Sequence, residues 1–302
     1  MSAFGLVPAA LIGIDVSVLL DDALEASQTF AQPNSSVVRM AALLATAEFS
    51  YVGFSDLGST VPGLGDWIEQ LIAESTGKDG RGVLPIVTES TASALYPVIG
   101  FAPNAQLAVV GPLGAQFIFW EWVTALVGYL LEVDPFNQPN VTESKDRTGA
   151  LLKEWSSSPA KITKPSFATN SCEIFTSHSS QTIEELFTTL ADKRSGYYAI
   201  MAYLNREEDG EIVALRSLLE RKSSRPTTFG WGPRFLHSTG QFHKGGPLVG
   251  TFIQITAEPE LSIEIPGSDY GFERLIMAQA LGDNQALASR ELDVVRIHLK
   301  DR

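Results

Sequence analysis

An α/β fold is what this sequence predicts: a largely parallel sheet sandwiched between helices, followed by a smaller C-terminal α/β domain. Three observations point there. Short apolar runs at 83–87 and 106–110 have the length of buried strands, and the segment between them, at about 90–96, suits a helix. Further strand-like runs at 197–204, 251–256, 261–265 and 294–299 are interleaved with amphipathic stretches at 182–190, 212–219 and 272–281, and such alternation is the pattern of a sheet with crossover helices. Finally, 302 residues, 44% hydrophobic and 19% charged, suffice for one large or two modest buried cores. We place the first domain at 1–155, a Ser-, Pro- and Lys-rich linker at 156–170 and the second domain at 171–302.

The elements follow in order. Residues 1–24 are apolar but have no basic leader, and Asp15, Asp21 and Asp22 interrupt them early, so they read as core rather than as a signal peptide. Asn34, Ser35 and Ser36 cap a helix over 37–47. A glycine-rich loop at 51–65 leads to a helix whose apolar face carries Trp67, Ile68, Leu71 and Ile72, with Asp66, Glu69 and Gln70 elsewhere on the wheel. The run 111–131 is apolar enough to span a membrane, but Glu121 lies near its middle and no cation flanks it closely, so a buried helix is expected. Pro135 and Pro139 then fix an extended turn ahead of a helix at 141–152. In the second half, Thr182 and Glu185 form a capping box for a helix with Ile183, Leu186, Phe187 and Leu190 on one face. No internal sequence repeat is visible.

Charge and cysteine usage narrow the function. A net charge of -13 leaves no basic stripe for nucleic acid, and an anionic substrate would need a local cationic pocket. The single cysteine, Cys172, excludes an internal disulfide framework and fits a reducing cytoplasm.

Three stretches carry chemistry. Residues 66–82 join a helix ending in Glu74 to a turn with Gly77, Gly80 and Gly82 beside Lys78 and Arg81. That placement suits a positioned acid or base, while the plainer alternative is a helix end whose negative dipole the two cations complement. Residues 134–152 present Lys145, for which the plain alternative is pairing with Glu143 or solvent. Residues 230–247 hold five glycines, His237, His243, Arg234 and Lys244, a backbone-rich cationic loop of the kind that accepts an anion. His178 and His298 read as structural, and the pair His237 and His243 lacks nearby carboxylates or cysteines to complete a metal site.

The run EQLIAESTGKDGRG resembles the glutamate segment of bacterial glucose-6-phosphate isomerases. PFNQPNV followed by Lys145 resembles the family's lysine motif, and LHSTGQ its histidine motif. The motif order here, glutamate, lysine, histidine, resembles the isomerase portion of transaldolase and glucose-6-phosphate isomerase fusions. The resemblance implies a sugar isomerase (SIS-like) fold whose N-terminal isomerase domain is missing, together with its phosphate-binding Ser/Thr cluster and an arginine loop. It implies Glu74 as the base that moves a proton between C2 and C1 through an enediol, with His237 and Lys145 opening the sugar ring. Gln138, Arg234, His243 and Lys244 are the implied substrate-binding residues. No cofactor or metal is implied, and the expected partners are a sugar phosphate and either a second copy, as a homodimer in which the histidine crosses between subunits, or the missing segment. A non-catalytic sugar-phosphate-binding module or an inactive isomerase fragment is the competing expectation; a transaldolase, which needs a barrel-strand lysine, ranks last.

Overall fold

A computed structural model of the chain describes residues 1–157, 164–192, 195–259 and 261–300. They divide into two compact units, Met1–Asn137 and Gln138–Arg302, so the helix bearing Lys145 belongs with the second unit.

The first unit runs α1 (Ala3–Leu11), α2 (Val16–Ser27), α3 (Ser36–Leu44), β1 (Tyr51–Ser55), α4 (Leu64–Thr76), β2 (Leu84–Val87), β3 (Val98–Gly100), β4 (Leu107–Ala108) and α5 (Leu113–Leu131). Its sheet has the order β2-β1-β3-β4 with every pairing parallel. The core lies where α4 and α5 meet that sheet: Phe54 stacks on Phe101 and meets Trp120 edge to face at 5.3 Å, with Ile68, Ile72 and Val123 closing around them. Each such side chain contributes about 1.5–3 kcal/mol on burial. Gly114 lets α2 cross α5 closely, since a Cβ there would fall 2.0 Å from the Leu19 carbonyl oxygen. By length and composition α5 could cross a membrane, yet Trp120, Val123 and Val127 pack into the unit's core.

The second unit runs α6 (Pro139–Ser157), β5 (Phe167–Ala168), β6 (Cys172–Phe175), α7 (Ile183–Asp192), β7 (Tyr197–Tyr203), α8 (Ala214–Ser223), β8 (Thr227–Trp231), α9 (Thr239–Gly245), β9 (Gly250–Ala257), α10 (Phe272–Ala288) and β10 (Asp293–Leu299). The parallel strands take the order β8-β7-β9-β10, and β6 and β5 extend the edge antiparallel. Every residue of β7 and β9 is buried, as expected of central strands covered on both faces. Ile174, Leu186, Leu190, Ile200 and Ile253 form the core on one face. The strand that comes first in sequence in each parallel set lies inside its sheet, with the second on one side and the third and fourth on the other, so the two units share a strand order that no sequence repeat announces.

The α/β architecture is as expected; several elements are not. The run 90–96 forms no helix: Ser90 Oγ donates to the Ala92 carbonyl, while Leu95 N donates to Ser93 Oγ, so hydroxyls bond the local backbone in place of helical partners. The run 261–265 makes only one bridge among the described residues, between Glu264 and Gly271, and leaves Leu261 and Ile263 exposed. Of the apolar N-terminal run only part is core: α1 buries none of its residues and Phe4 is 95% exposed, whereas Leu19 and Ala23 of α2 are buried. Glu69 is buried although the helical wheel set it off the apolar face. Of the stretch read as a linker, 156–157 continue α6 and β5 pairs with β6, while 158–163 lie outside the described residues. The second unit, read as the smaller, carries the larger sheet.

Candidate functional site

Glu74 lies in the last turn of α4, half-buried, in the first unit. The chain leaves that helix through a tight hairpin: Lys78 and Arg81 exchange backbone hydrogen bonds, and Asp79 and Gly80 between them both have positive φ. Thr76 ties helix to strand, since its hydroxyl donates to the Ile72 carbonyl and accepts from Val83 N at 3.1 Å. The two cations of the turn do not cap α4. Arg81 Nη1 donates to the Leu131 carbonyl at 2.6 Å, the carboxyl end of α5, and Lys78 Nζ to the Asp134 carbonyl at 2.5 Å in the turn that follows it. Burial holds the Lys78 pKa below its ordinary value, opposed by Asp134, Glu74 and Asp79, which places the Glu74 carboxylate in the field of a partly desolvated ammonium.

Within the second unit the histidine and lysine motifs meet. β8 ends at Trp231, and a short 3-10 turn, Arg234–His237, carries the chain to α9. His237 ends that turn with its residue exposed, as is Lys145 on α6. The His237 pKa is lowered, first by partial burial, then by Lys145 and then by Lys244. An imidazole that stays neutral at neutral pH beside an ammonium is a base next to an acid.

Gln241 fastens the two motifs together. Its side chain is fully buried; Oε1 accepts from Asn140 N at 3.0 Å and Nε2 donates to Asn140 Oδ1 at 2.8 Å. Asn140 is the second residue of α6, so the clip satisfies one of the amide hydrogens that a helix start leaves without an internal partner. Neither Gln241 nor Asn140 stands out by composition, and the only sequence signal was the glutamine of LHSTGQ.

The other expected binding residues are placed differently. Lys244 Nζ donates to Asp283 Oδ1 at 2.7 Å, with both side chains 1% exposed. His243 is buried, its Nδ1 2.9 Å from the Tyr197 hydroxyl, its ring stacked on Tyr197 and set edge-on to Phe252. Burial, with Lys244 adding to it, pushes its pKa well down, so it is neutral. Gln138 is exposed just ahead of α6, and Arg234 is half-buried at the start of the 3-10 turn. Glu143, the alternative partner for Lys145, is taken by Arg290 at 2.5 Å and Arg147 at 3.0 Å, which hold its carboxyl below the usual range. The structure thus brings together Lys145, His237 and the Gln241 clip; Glu74 belongs to the other unit.

Comparison with known proteins points one way. The chain is 25% identical over 224 residues to a glucose-6-phosphate isomerase of Mycoplasmopsis pulmonis, covering 51% of this chain and 52% of that protein. It is 37% identical over 90 residues to a probable glucose-6-phosphate isomerase of Haloarcula marismortui, covering 28% and 21%, and 25% identical over 222 residues to that of Heliobacterium modesticaldum, covering 50% of each. These partial matches support a relationship to glucose-6-phosphate isomerases. The chain spans about half the length, or less, of these relatives. No family model matches. A hypothetical protein from Thermus thermophilus aligns over 98% of this chain and 85% of its own at 14% identity, but its TM-score of 0.32 carries no argument, and the fold rests on the strand pairings.

Proposed function

We propose that this chain supplies catalytic groups to an aldose-ketose isomerase site that interconverts glucose 6-phosphate and fructose 6-phosphate, in a soluble, cytoplasmic enzyme. The observation that carries the reading is that the lysine and histidine motifs, far apart in sequence, are tied together by the Gln241–Asn140 hydrogen bonds, with Lys145 among the causes that lower the His237 pKa. On this reading neutral His237 accepts a proton and the Lys145 ammonium donates one as the sugar ring opens. Glu74 then takes the proton from C2 and returns it to C1, one carboxylate serving both halves of the transfer. Gln138 and Arg234 contact the substrate. The phosphate clamp and the cation that stabilises the enediolate come from a second copy of the chain or from another polypeptide segment; removal of one such donor commonly costs about 10²- to 10³-fold in rate.

A coupled assay on glucose 6-phosphate tests this directly. Glu74→Gln is expected to abolish turnover while leaving substrate affinity measurable; an unchanged rate removes Glu74 from the mechanism. Saturable sugar-phosphate binding without turnover in the unaltered protein would instead favour a binding module.

A further inference from the structure

We infer that the crevice where the second sheet reverses its strand order binds a small organic ammonium ion. The chain passes from β7 outward to β8 and then returns to the other side of β7 as β9, which makes the carboxyl ends of β7 and β9 the switch point at which open α/β sheets hold their ligands. A cavity of about 230 Å³ opens there, lined by Tyr203 and Asn205 at the end of β7, Gly232 after β8, Pro259 after β9, and Glu273 and Met277 on α10.

The polar groups of this cavity are unsatisfied in a consistent way. Tyr203 is 5% exposed and its hydroxyl has no hydrogen-bond partner among the described residues; Glu273 Oε2 is likewise buried and unpartnered. Such groups are expensive to leave unpaired, and a ligand bearing N–H donors would satisfy both, since a carboxylate and a phenol oxygen can each accept. Asn205 commits its Oδ1 to Glu207 N at 3.1 Å. Among the described residues no cation lines the cavity and its formal charge is that of Glu273, which disfavours phosphates and carboxylates and favours a positive ligand. One carboxylate is too few oxygens for a bare divalent ion. Met277 and Pro259 leave room for a hydrocarbon body, and the volume lies below the roughly 300–1,000 Å³ typical of drug-sized ligands, so that body is small. Glycine at 232 is needed for this shape, because a Cβ would fall 2.5 Å from the Tyr203 ring. None of this rests on the isomerase reading.

The test is an NMR titration of the whole 302-residue chain with cyclohexylammonium chloride, with cyclohexanol as the neutral analogue. The ammonium is expected to saturate, shifting amides of α10 and of the end of β7, about tenfold or more tightly than the alcohol. Glu273→Gln and Tyr203→Phe, both near-isosteric, are expected to weaken the ammonium while leaving the alcohol unchanged. Equal affinity for the two probes, or no saturable shift at these positions in the unaltered protein, overturns the proposal, and that comparison needs no variant to fold. Ammonium binding indifferent to a folded Glu273→Gln variant overturns it as well.

Discussion

Replacing Lys244 by methionine separates a structural lysine from a substrate-binding one. In the folded chain Lys244 Nζ lies 2.7 Å from Asp283 Oδ1 and each side chain is 1% exposed. The same carboxylate oxygen accepts weakly from Ser144 Oγ at 3.4 Å, and Oδ2 is buried without a hydrogen-bond partner among the described residues. Lys244→Met therefore leaves a buried carboxylate with no cation bonded to it. Breaking a buried pair from one side costs about 3–5 kcal/mol, a fifth or more of the roughly 5–15 kcal/mol that holds a typical domain together. That is roughly two to nearly four orders of magnitude in the ratio of folded to unfolded chain. Urea unfolding, followed by hydrogen exchange at α9 and α10 so that the second unit is read separately, measures the loss. Lys244→Met combined with Asp283→Leu is expected to recover much of it, because the desolvated charge is gone. A loss below about 1 kcal/mol for the single variant, the range of exposed ion pairs, would refute the reasoning. A raised KM with unchanged stability would return Lys244 to the substrate.

Three further outcomes are expected. Lys145→Met removes a cation that lowers the His237 pKa, so the NMR titration midpoint of that imidazole should rise; a depressed histidine contributes stability that is present above its unfolded pKa and lost as pH falls through the folded one, and the variant should shrink that contribution, whereas an unmoved midpoint would separate the two residues. Gly82→Ala places a side chain at φ +133, with its Cβ 2.8 Å from the Gly77 Cα, and should cost about 1–3 kcal/mol in thermal unfolding; a neutral result would mean the turn relaxes freely. Thr182→Ala removes the hydroxyl that accepts from Glu185 N at 3.1 Å and should destabilise α7 by about 0.5–2 kcal/mol, read by exchange at its first turn, while unchanged protection would show the cap to be idle.

Periodicity made the α/β class and most elements legible. The runs behind β7, β9 and β10 were dense enough in apolar residues to admit little else, and the Thr182 cap identified α7 because both its partners are local. What failed needed tertiary information. The run 90–96 has helical composition but spends its hydroxyls on its own backbone, and 261–265 has strand composition but only one bridge to pair with among the described residues. The shared strand order of the two units is invisible in sequence because it is set by which edges pair, not by which residues recur. The three motifs singled out Glu74 in the first unit and Lys145 and His237 in the second, but the roles of Lys78 and Arg81 depend on the chain around the end of α5, dozens of residues away.

The loop at 230–247 shows why counting cations overstates an anion site. Its glycines and basic residues suggested a cradle, yet two of its basic positions are turned inward. Lys244 is neutralised by Asp283, and His243 is held neutral by burial against Tyr197 and Phe252. Their work is to anchor α9, and with it Gln241, whose two hydrogen bonds fix the start of α6 and so the position of Lys145. By the loop's His237, whose pKa is lowered, stands the exposed Lys145, with half-buried Arg234 at the start of the same turn. Such a pair is poorly suited to gripping a dianionic phosphate, which prefers several donors in a fixed array. It is better suited to moving protons, because a lowered pKa keeps the imidazole unprotonated and able to accept one. The proposed division of labour, proton transfer from this loop and phosphate binding from elsewhere, follows from that asymmetry.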